Sequence, residues 1–282
     1  MIRVPAPRVL FSLFLAAAVV AGLPGPAEAQ YRPLPTTGYG TASNPKGEPY
    51  HVEAAFNLWD PLPDFVISSE SLGIPGTSID LQADLAIEQT RKYEFRLVLR
   101  PGRKHKFRFH YLPLAYDATT TLKADIIFNG IRYPVSTQVE SKLAWKTYRA
   151  GYEYDFISRA QGFFGIILEA KYTDADFQLR SPFGVEYARA RAPIPALGAI
   201  GRVYIQRLAS ITGEFTGFYL PNSIDENYQA HYYDWDVYGT VNLTNNVGVQ
   251  VGYRSLDLAY VAKQDSGAAR LSGLYFGGVA RF

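Results

Sequence analysis

No cysteine occurs among the 282 residues, which excludes a disulfide framework, a thiolate metal site and lipid attachment through a cysteine. Long apolar runs are almost as scarce. One extends from Val9 to Leu23, and nothing after it approaches the roughly 18 residues that a membrane-crossing helix requires. Charge bias is missing too: 28 basic residues face 26 acidic ones and the signs are interspersed, so no basic face for nucleic acid is present. The sequence also lacks a phosphate-binding glycine loop, a histidine-pair metal helix and a nucleophile elbow. No cofactor is expected.

The amino terminus carries an address. Arg3 and Arg8 precede the apolar run, Pro24-Gly25-Pro26 breaks it, and Ala27-Glu28-Ala29 offers small residues for cleavage before Gln30. This is the pattern of a secretion signal, because the run is too short for an anchor and is followed at once by helix breakers. Residues 1–29 are therefore expected to be a cleaved signal peptide, 30–50, rich in Pro, Gly and Thr, a flexible periplasmic leader, and 51–282 the folded domain.

Within that domain the dominant signal has a period of two. Tyr93, Phe95, Leu97 and Leu99 alternate with Glu94, Arg96, Val98 and Arg100, and after Pro101-Gly102-Arg103 the rhythm returns as Phe107, Phe109 and Tyr111 against Lys106, Arg108 and His110. It recurs over Tyr148–Phe156, Phe164–Thr173, Ile211–Tyr219, Tyr233–Leu243 and Val247–Arg254. Side chains alternate across a strand, so each segment has an apolar and a polar face. A soluble sheet alternates as well. The export signal, the terminal Phe282 with Ala280, Gly278, Phe276 and Leu274 on its face, and 21 Tyr, 17 Phe and three Trp available for interfacial girdles favour the inverted arrangement, apolar face outward in lipid.

On these features the chain resembles the Gram-negative outer-membrane β-barrel class. The resemblance implies a closed antiparallel transmembrane β-barrel in the bacterial outer membrane, in contact with its lipids. It also implies that Leu274, Phe276 and Phe282 in the last strand are the signal read by the barrel-assembly machinery. It singles out no family within the class.

Four short connections (Pro101–Arg103, Ser158–Gly162, Arg207–Ala209, Thr244–Asn246) and five long ones (61–77, 115–138, 178–193, 221–229, 262–267) make about ten strands, with eight or twelve as alternatives. His51–Trp59 is the first strand, and the segment around Pro195–Gln206 is the least regular. Ile79, Leu81, Ala83, Leu85 and Ile87 share the phase of Tyr93 and extend the second strand upward. Asn129-Gly130 marks a hairpin within the 115–138 loop; with Pro134 beside it, it is expected to project from the barrel rather than cross the membrane.

The inward face then carries Glu53, Glu94, Arg96, Arg108, His110, Arg149, Glu153, Asp155, Glu169, Lys171, Arg202, Glu214, Asp234, Asp236 and Arg254. Both signs occur in similar number, as a paired structural network demands. If Arg100 lies opposite Lys104, Glu94 faces His110 and Arg96 faces Arg108. A narrow barrel filled in this way suits a structural or surface-interaction protein, or a narrow channel. The alternative is a hydrolase embedded in the outer membrane. It finds only four histidines and no serine placed beside one, its best sites being His110 with Glu94 and His231 with Asp234 and Asp236. The carboxylate pairs Asp174/Asp176 and Asp234/Asp236 fall short of a calcium site. Arg180, Arg189 and Arg191 make the 178–193 loop the expected meeting place for lipopolysaccharide phosphates, with Glu186 opposing them.

Overall fold

In a computed structural model of the chain, the described residues are 50–68, 76–205, 208–221, 228–262 and 265–282. The expected signal peptide and all of the leader but Tyr50 lie outside them.

The described chain is all β. Its strands are β1 (Val52–Trp59), β2 (Leu62–Ser68), β3 (Ile79–Asp80), β4 (Lys92–Gly102), β5 (His105–Thr121), β6 (Ile126–Phe128), β7 (Ile131–Tyr133), β8 (Gln138–Arg159), β9 (Gly162–Ser181), β10 (Gly184–Ile205), β11 (Ala209–Leu220), β12 (Tyr228–Asn242), β13 (Val247–Ala262) and β14 (Asp265–Arg281). Antiparallel pairing runs β1-β4-β5-β8-β9-β10-β11-β12-β13-β14, and β14 pairs back with β1, from Glu53 opposite Arg281 to Trp59 opposite Tyr275. The ten strands thus form a closed barrel, which removes every edge at membrane depth. Strand one breaks at Asp60-Pro61 and resumes as β2, which stays on β14 from Leu62 opposite Ser272. At the break Gly273 lets the two backbones touch: a Cβ there would meet the Asp60 carbonyl oxygen at 2.1 Å.

The strands are much longer than a bilayer requires, and their polarity reverses partway along without any change of phase. On β8 the outward residues Tyr148, Ala150, Tyr152 and Phe156 are apolar, whereas higher up the same face carries Lys146, Lys142 and Glu140. The inward face reverses in the opposite sense, from Glu153 and Arg149 below to Trp145, Leu143 and Val139 above. β9 repeats this, with Tyr172 followed by Asp174 and Asp176 outside, and Lys171 followed by Phe177 and Leu179 inside. Apolar surface faces outward in lipid and inward in water, so the reversal marks the point where the wall leaves the membrane. The nine residues from Tyr148 to Phe156 match the roughly 9–11 that a tilted membrane strand needs. The short connections and the carboxyl terminus lie at the near end, the periplasmic side by the usual arrangement of such barrels, and the upper lobe projects outside.

That lobe has its own core. Trp59, Phe65, Leu112, Leu114, Tyr116, Leu143, Trp145, Phe177 and Leu179 line its wall, while Ile79 of β3 and Leu81, Leu85 and Ile87 of the connection between β3 and β4 fill it. The expectation that residues 79–87 continue the following strand is not met. The Asp80 carboxylate accepts the amides of Gln82 and Ala83 at 2.9 Å each, which turns the chain after two residues and aims its apolar side chains into the barrel mouth. The β6–β7 hairpin lies over this lid. Thr77 donates to the Ile127 carbonyl at 2.9 Å, and the Ile127 amide returns a bond to Thr77 Oγ1 at 3.0 Å. Asn129 and Gly130 have φ of 51° and 80°, the paired positive values of a tight hairpin turn. The hairpin is not part of the barrel sheet, as expected.

Several connections are shorter than the sequence suggested. The 178–193 stretch is not a loop: β9 and β10 remain paired up to Ser181 opposite Gly184. Of the segment around Pro195–Gln206, residues 195–205 belong to the 22-residue β10, paired along its length up to Ile205, and Gln206 lies outside the described residues. The 115–138 loop contracts to 122–137, the 61–77 stretch contains β2, and β13 and β14 close to Ala262 opposite Asp265. Around Pro101, β4 continues to Gly102 with a register irregularity after Leu99. As a result Arg96 faces His110 and Val98 faces Arg108, rather than Glu94 facing His110 and Arg96 facing Arg108.

Candidate functional site

The membrane-level interior places eight carboxylates and eight cations together among the described residues. Glu53, Glu94, Glu153, Asp155, Glu169, Glu214, Asp234 and Asp236 are all buried, as are Lys106, Arg149, Lys171, Arg202, Arg254 and Arg281, while Arg96 and Arg108 retain side-chain exposures of only 15%. The residues expected to face inward are these, without Lys106 and Arg281, together with His110, whose side-chain exposure is 8%. Such a density of charge persists away from water only if each group finds its counterpart.

Just below the outer lobe, Arg149 grips Glu169 with two bonds of 2.9 Å, reaches Asp234 at 2.8 Å and touches Glu214 at 3.3 Å. Arg254 holds the other side of Asp234 with bonds of 3.0 and 2.7 Å and extends to Glu94 at 2.7 Å. Arg96 bridges Glu94 at 2.6 Å and Asp236 at 2.7 Å, and Asp236 also accepts the Tyr275 hydroxyl at 2.9 Å. Arg108 links Glu153 at 2.5 Å to Glu214. Nearer the short turns, Lys106 lies 2.5 Å from Glu153 and 2.9 Å from Asp155, Arg281 bonds Glu53 at 2.5 Å and Asn242, and Arg202 reaches Thr212 at 2.8 Å. Aromatic rings close the top of the network: Trp59 lies 5.4 Å from the Arg254 guanidinium and Tyr232 lies 3.9 Å from Lys171 Nζ. Between Arg96, Arg108 and His110 remains a cavity of about 40 Å³, room for little more than water.

Lys106 and Arg281 were not singled out from the sequence, although its alternation reaches both. Lys106 shares the phase of Arg108, and if Phe282 points outward then Arg281 points in. Asn57, Asn242, Gln250 and Tyr275 are uncharged members of the same face.

The histidines separate. His110 lies within the network, 3.0 Å from Glu94, 3.2 Å from Arg149 and 3.4 Å from Arg254. Its contact with Glu94 is made diagonally, despite the shifted register. His231 does not join Asp234 and Asp236. It stands on the opposite face of β12, stacks on Tyr233 with ring centroids 5.3 Å apart, and binds Asp257 at 3.2 Å. The site assembled from those three residues is excluded by strand alternation. His105 faces outward against Tyr152, 2.6 Å from its hydroxyl. On the outer wall Arg189 is engaged by Asp176, Arg191 by Asp174 at 3.0 Å, and Arg180 stands 4.0 Å from Glu140. Any phosphate approaching these arginines competes with a carboxylate. No group of three or more potential metal ligands is found among the described residues.

No protein-family profile matches the chain, and no curated protein matches its sequence. Solved structures do. The crystal structure of the outer-membrane protease OmpT from Escherichia coli superposes with a TM-score of 0.55 at 10% identity, over 82% of this chain and 96% of that one. The transport unit of the autotransporter AIDA-I from Escherichia coli matches at 0.39 and 6% identity, over 96% of this chain and 97% of that one. Ail of Yersinia pestis, in complex with sucrose octasulfate, matches at 0.35 and 8%, over 82% and 99%. With a ten-stranded wall, an outward apolar belt and an inward charge network already in place, the superposition on OmpT agrees with the structure itself: the chain has the fold of the Gram-negative outer-membrane β-barrel proteins.

Proposed function

We propose that this protein is an exported outer-membrane barrel that is closed to solutes and acts through its outer lobe, as a structural and surface-interaction scaffold rather than as a pore or an enzyme. One observation carries the reading: the lumen is filled twice, by eight paired ions of each sign at membrane depth and above them by the apolar lid of Ile79, Leu81, Leu85 and Ile87. A solute crossing the barrel has to part ion pairs at one level and expose apolar side chains at the next. The cavity of about 40 Å³ within the network supports the second reading, a narrow path for water-sized species. Export relies on removal of residues 1–29. Assembly relies on Leu274, Phe276 and Phe282, which stand outward on or at the end of the final strand with exposures of 64, 47 and 71%.

The test is single-channel recording in planar bilayers with the refolded mature protein. The closed reading expects a baseline without discrete steps. Reproducible steps whose ion selectivity changes when Arg96, Arg108 and Arg149 are replaced by serine would replace it with the narrow-path reading.

A further inference from the structure

The outward belt is not uniformly bulky. Along one row of paired residues Ala54 faces Leu97, Leu97 faces Phe109, Phe109 faces Ala150 and Ala150 faces Ala170. The row above is almost continuously aromatic, Phe95, Tyr111, Tyr148 and Tyr172. The row below carries Phe107, Tyr152 and Leu168. Small side chains between two large rows leave a trough of about 600 Å³ in the lipid-facing wall, centred on the two adjacent alanines of β8 and β9. That is within the roughly 300–1,000 Å³ range of ligand pockets. Because the wall leaves the membrane just above Tyr148 and Tyr172, the trough lies at the depth of acyl chains in the outer leaflet.

The polar residues directly above the trough are not arranged as they are elsewhere on the wall. Lys146, two residues above Tyr148, is exposed and holds no ion pair among the described residues, because its cross-strand neighbour Asp174 is taken by Arg191. The Arg191–Asp174 pair is itself exposed, the kind of pair that contributes little and exchanges partners readily. A phosphate placed there meets an available ammonium and a guanidinium able to bind it with two parallel hydrogen bonds, while the tyrosine row marks the boundary between headgroup and chains.

We propose that the trough and Lys146 together form a specific site for lipopolysaccharide, one acyl chain lying over Ala150 and Ala170 and a headgroup phosphate on Lys146 and Arg191. The proposal depends on the outer lobe facing the cell exterior and not on whether the lumen conducts. It differs from simple attraction to three arginines on a loop, since the cation that matters is a lysine on β8 and half of the recognition is apolar shape.

The experiment uses the full mature protein, refolded into vesicles of phosphatidylcholine containing a small fraction of fluorescent lipopolysaccharide, with the lipid retained per folded barrel measured after extraction in mild detergent. Three variants are compared: Lys146→Ser; Ala150→Leu with Ala170→Leu, which fills the trough with apolar atoms and leaves the interior untouched; and Val251→Leu, an outward residue of β13 on the far side of the barrel with an exposure of 60%. Retention is expected to fall at least fivefold in the first two and to stay at the wild-type level in the third, with excess phosphatidylglycerol unable to displace the lipid. Equal retention in all four proteins, an equal loss in Val251→Leu, or displacement by phosphatidylglycerol overturns the site. Channel recordings on the same preparations are independent of this result, so a failed lipid site leaves the closed-lumen reading standing.

Discussion

Arg149 illustrates how the interior ions work. Burying a guanidinium is costly, and its attraction to Glu169, Asp234 and Glu214 roughly offsets that cost, so the cluster contributes little net stability while making every member hard to remove. Arg149→Ala strands three carboxylates in a confined space. The expected loss is about 3–5 kcal/mol, read as a lowered urea midpoint in vesicle-embedded protein. Arg189→Ala deletes an ion pair on the outer wall, where water and salt screen both partners, and its expected cost is below about 1 kcal/mol. Comparable losses in the two variants would mean that the interior is far better hydrated than its burial indicates.

At the scale of elements, the β6–β7 hairpin is a small body whose order rests on a few local choices. Gly130, at φ 80°, stands where a β-branched side chain is strained. Gly130→Val is expected to cost roughly 1–2 kcal/mol, seen as faster amide exchange across β6 and β7 with β8–β13 unchanged. Acid should loosen the same corner. Asp125 accepts from Arg132 and from the Val135 amide at 2.7 Å, and these bonds hold its carboxyl below the usual range. A depressed carboxyl contributes order above its ordinary titration range and loses it as pH falls through the lowered value. The Val135 amide should therefore lose protection, measured against the intrinsic exchange rate at each pH, at acid pH in the wild type and already at neutral pH in Asp125→Asn. The turn was legible in the sequence because Asn-Gly has few other uses between apolar runs. The lengths of β8, β9 and β10 were not. A search for an apolar outward face ends at Tyr148 and Tyr172, since beyond them the same face turns charged, and the paired upper strands then read as loops. The charged face was legible residue by residue from Glu94 to Arg254, but not its partnerships. The irregularity after Leu99 shifts a register without leaving any mark in composition, and Glu53 meets Arg281 across 228 positions of chain.

Across the whole molecule the two fillings of the lumen are stacked in series, and this arrangement makes a prediction that neither layer makes alone. The apolar lid closes the outer lobe, where Leu81, Leu85 and Ile87 are essentially without exposure. The ion layer closes the membrane level, where Arg254 holds both Glu94 and Asp234. Barriers in series fail only together. Replacing the three lid residues by serine removes the desolvation barrier above but leaves the ion pairs interlocked below. Replacing Arg149 and Arg254 by serine loosens the ions but leaves a dry apolar mouth that small hydrated ions do not enter. Each set by itself is expected to remain electrically silent in planar bilayers, provided protease resistance shows the barrel folded. The combined five-residue variant is expected to give discrete steps, cation-selective because Glu94, Glu169, Asp234 and Glu214 then outweigh the cations left beside them. If the lid variant alone conducts, the ion layer is permeable in its native state and the outer lobe is a gate; if the combined variant stays silent, a third obstruction closes the lumen and the paired ions are not its barrier.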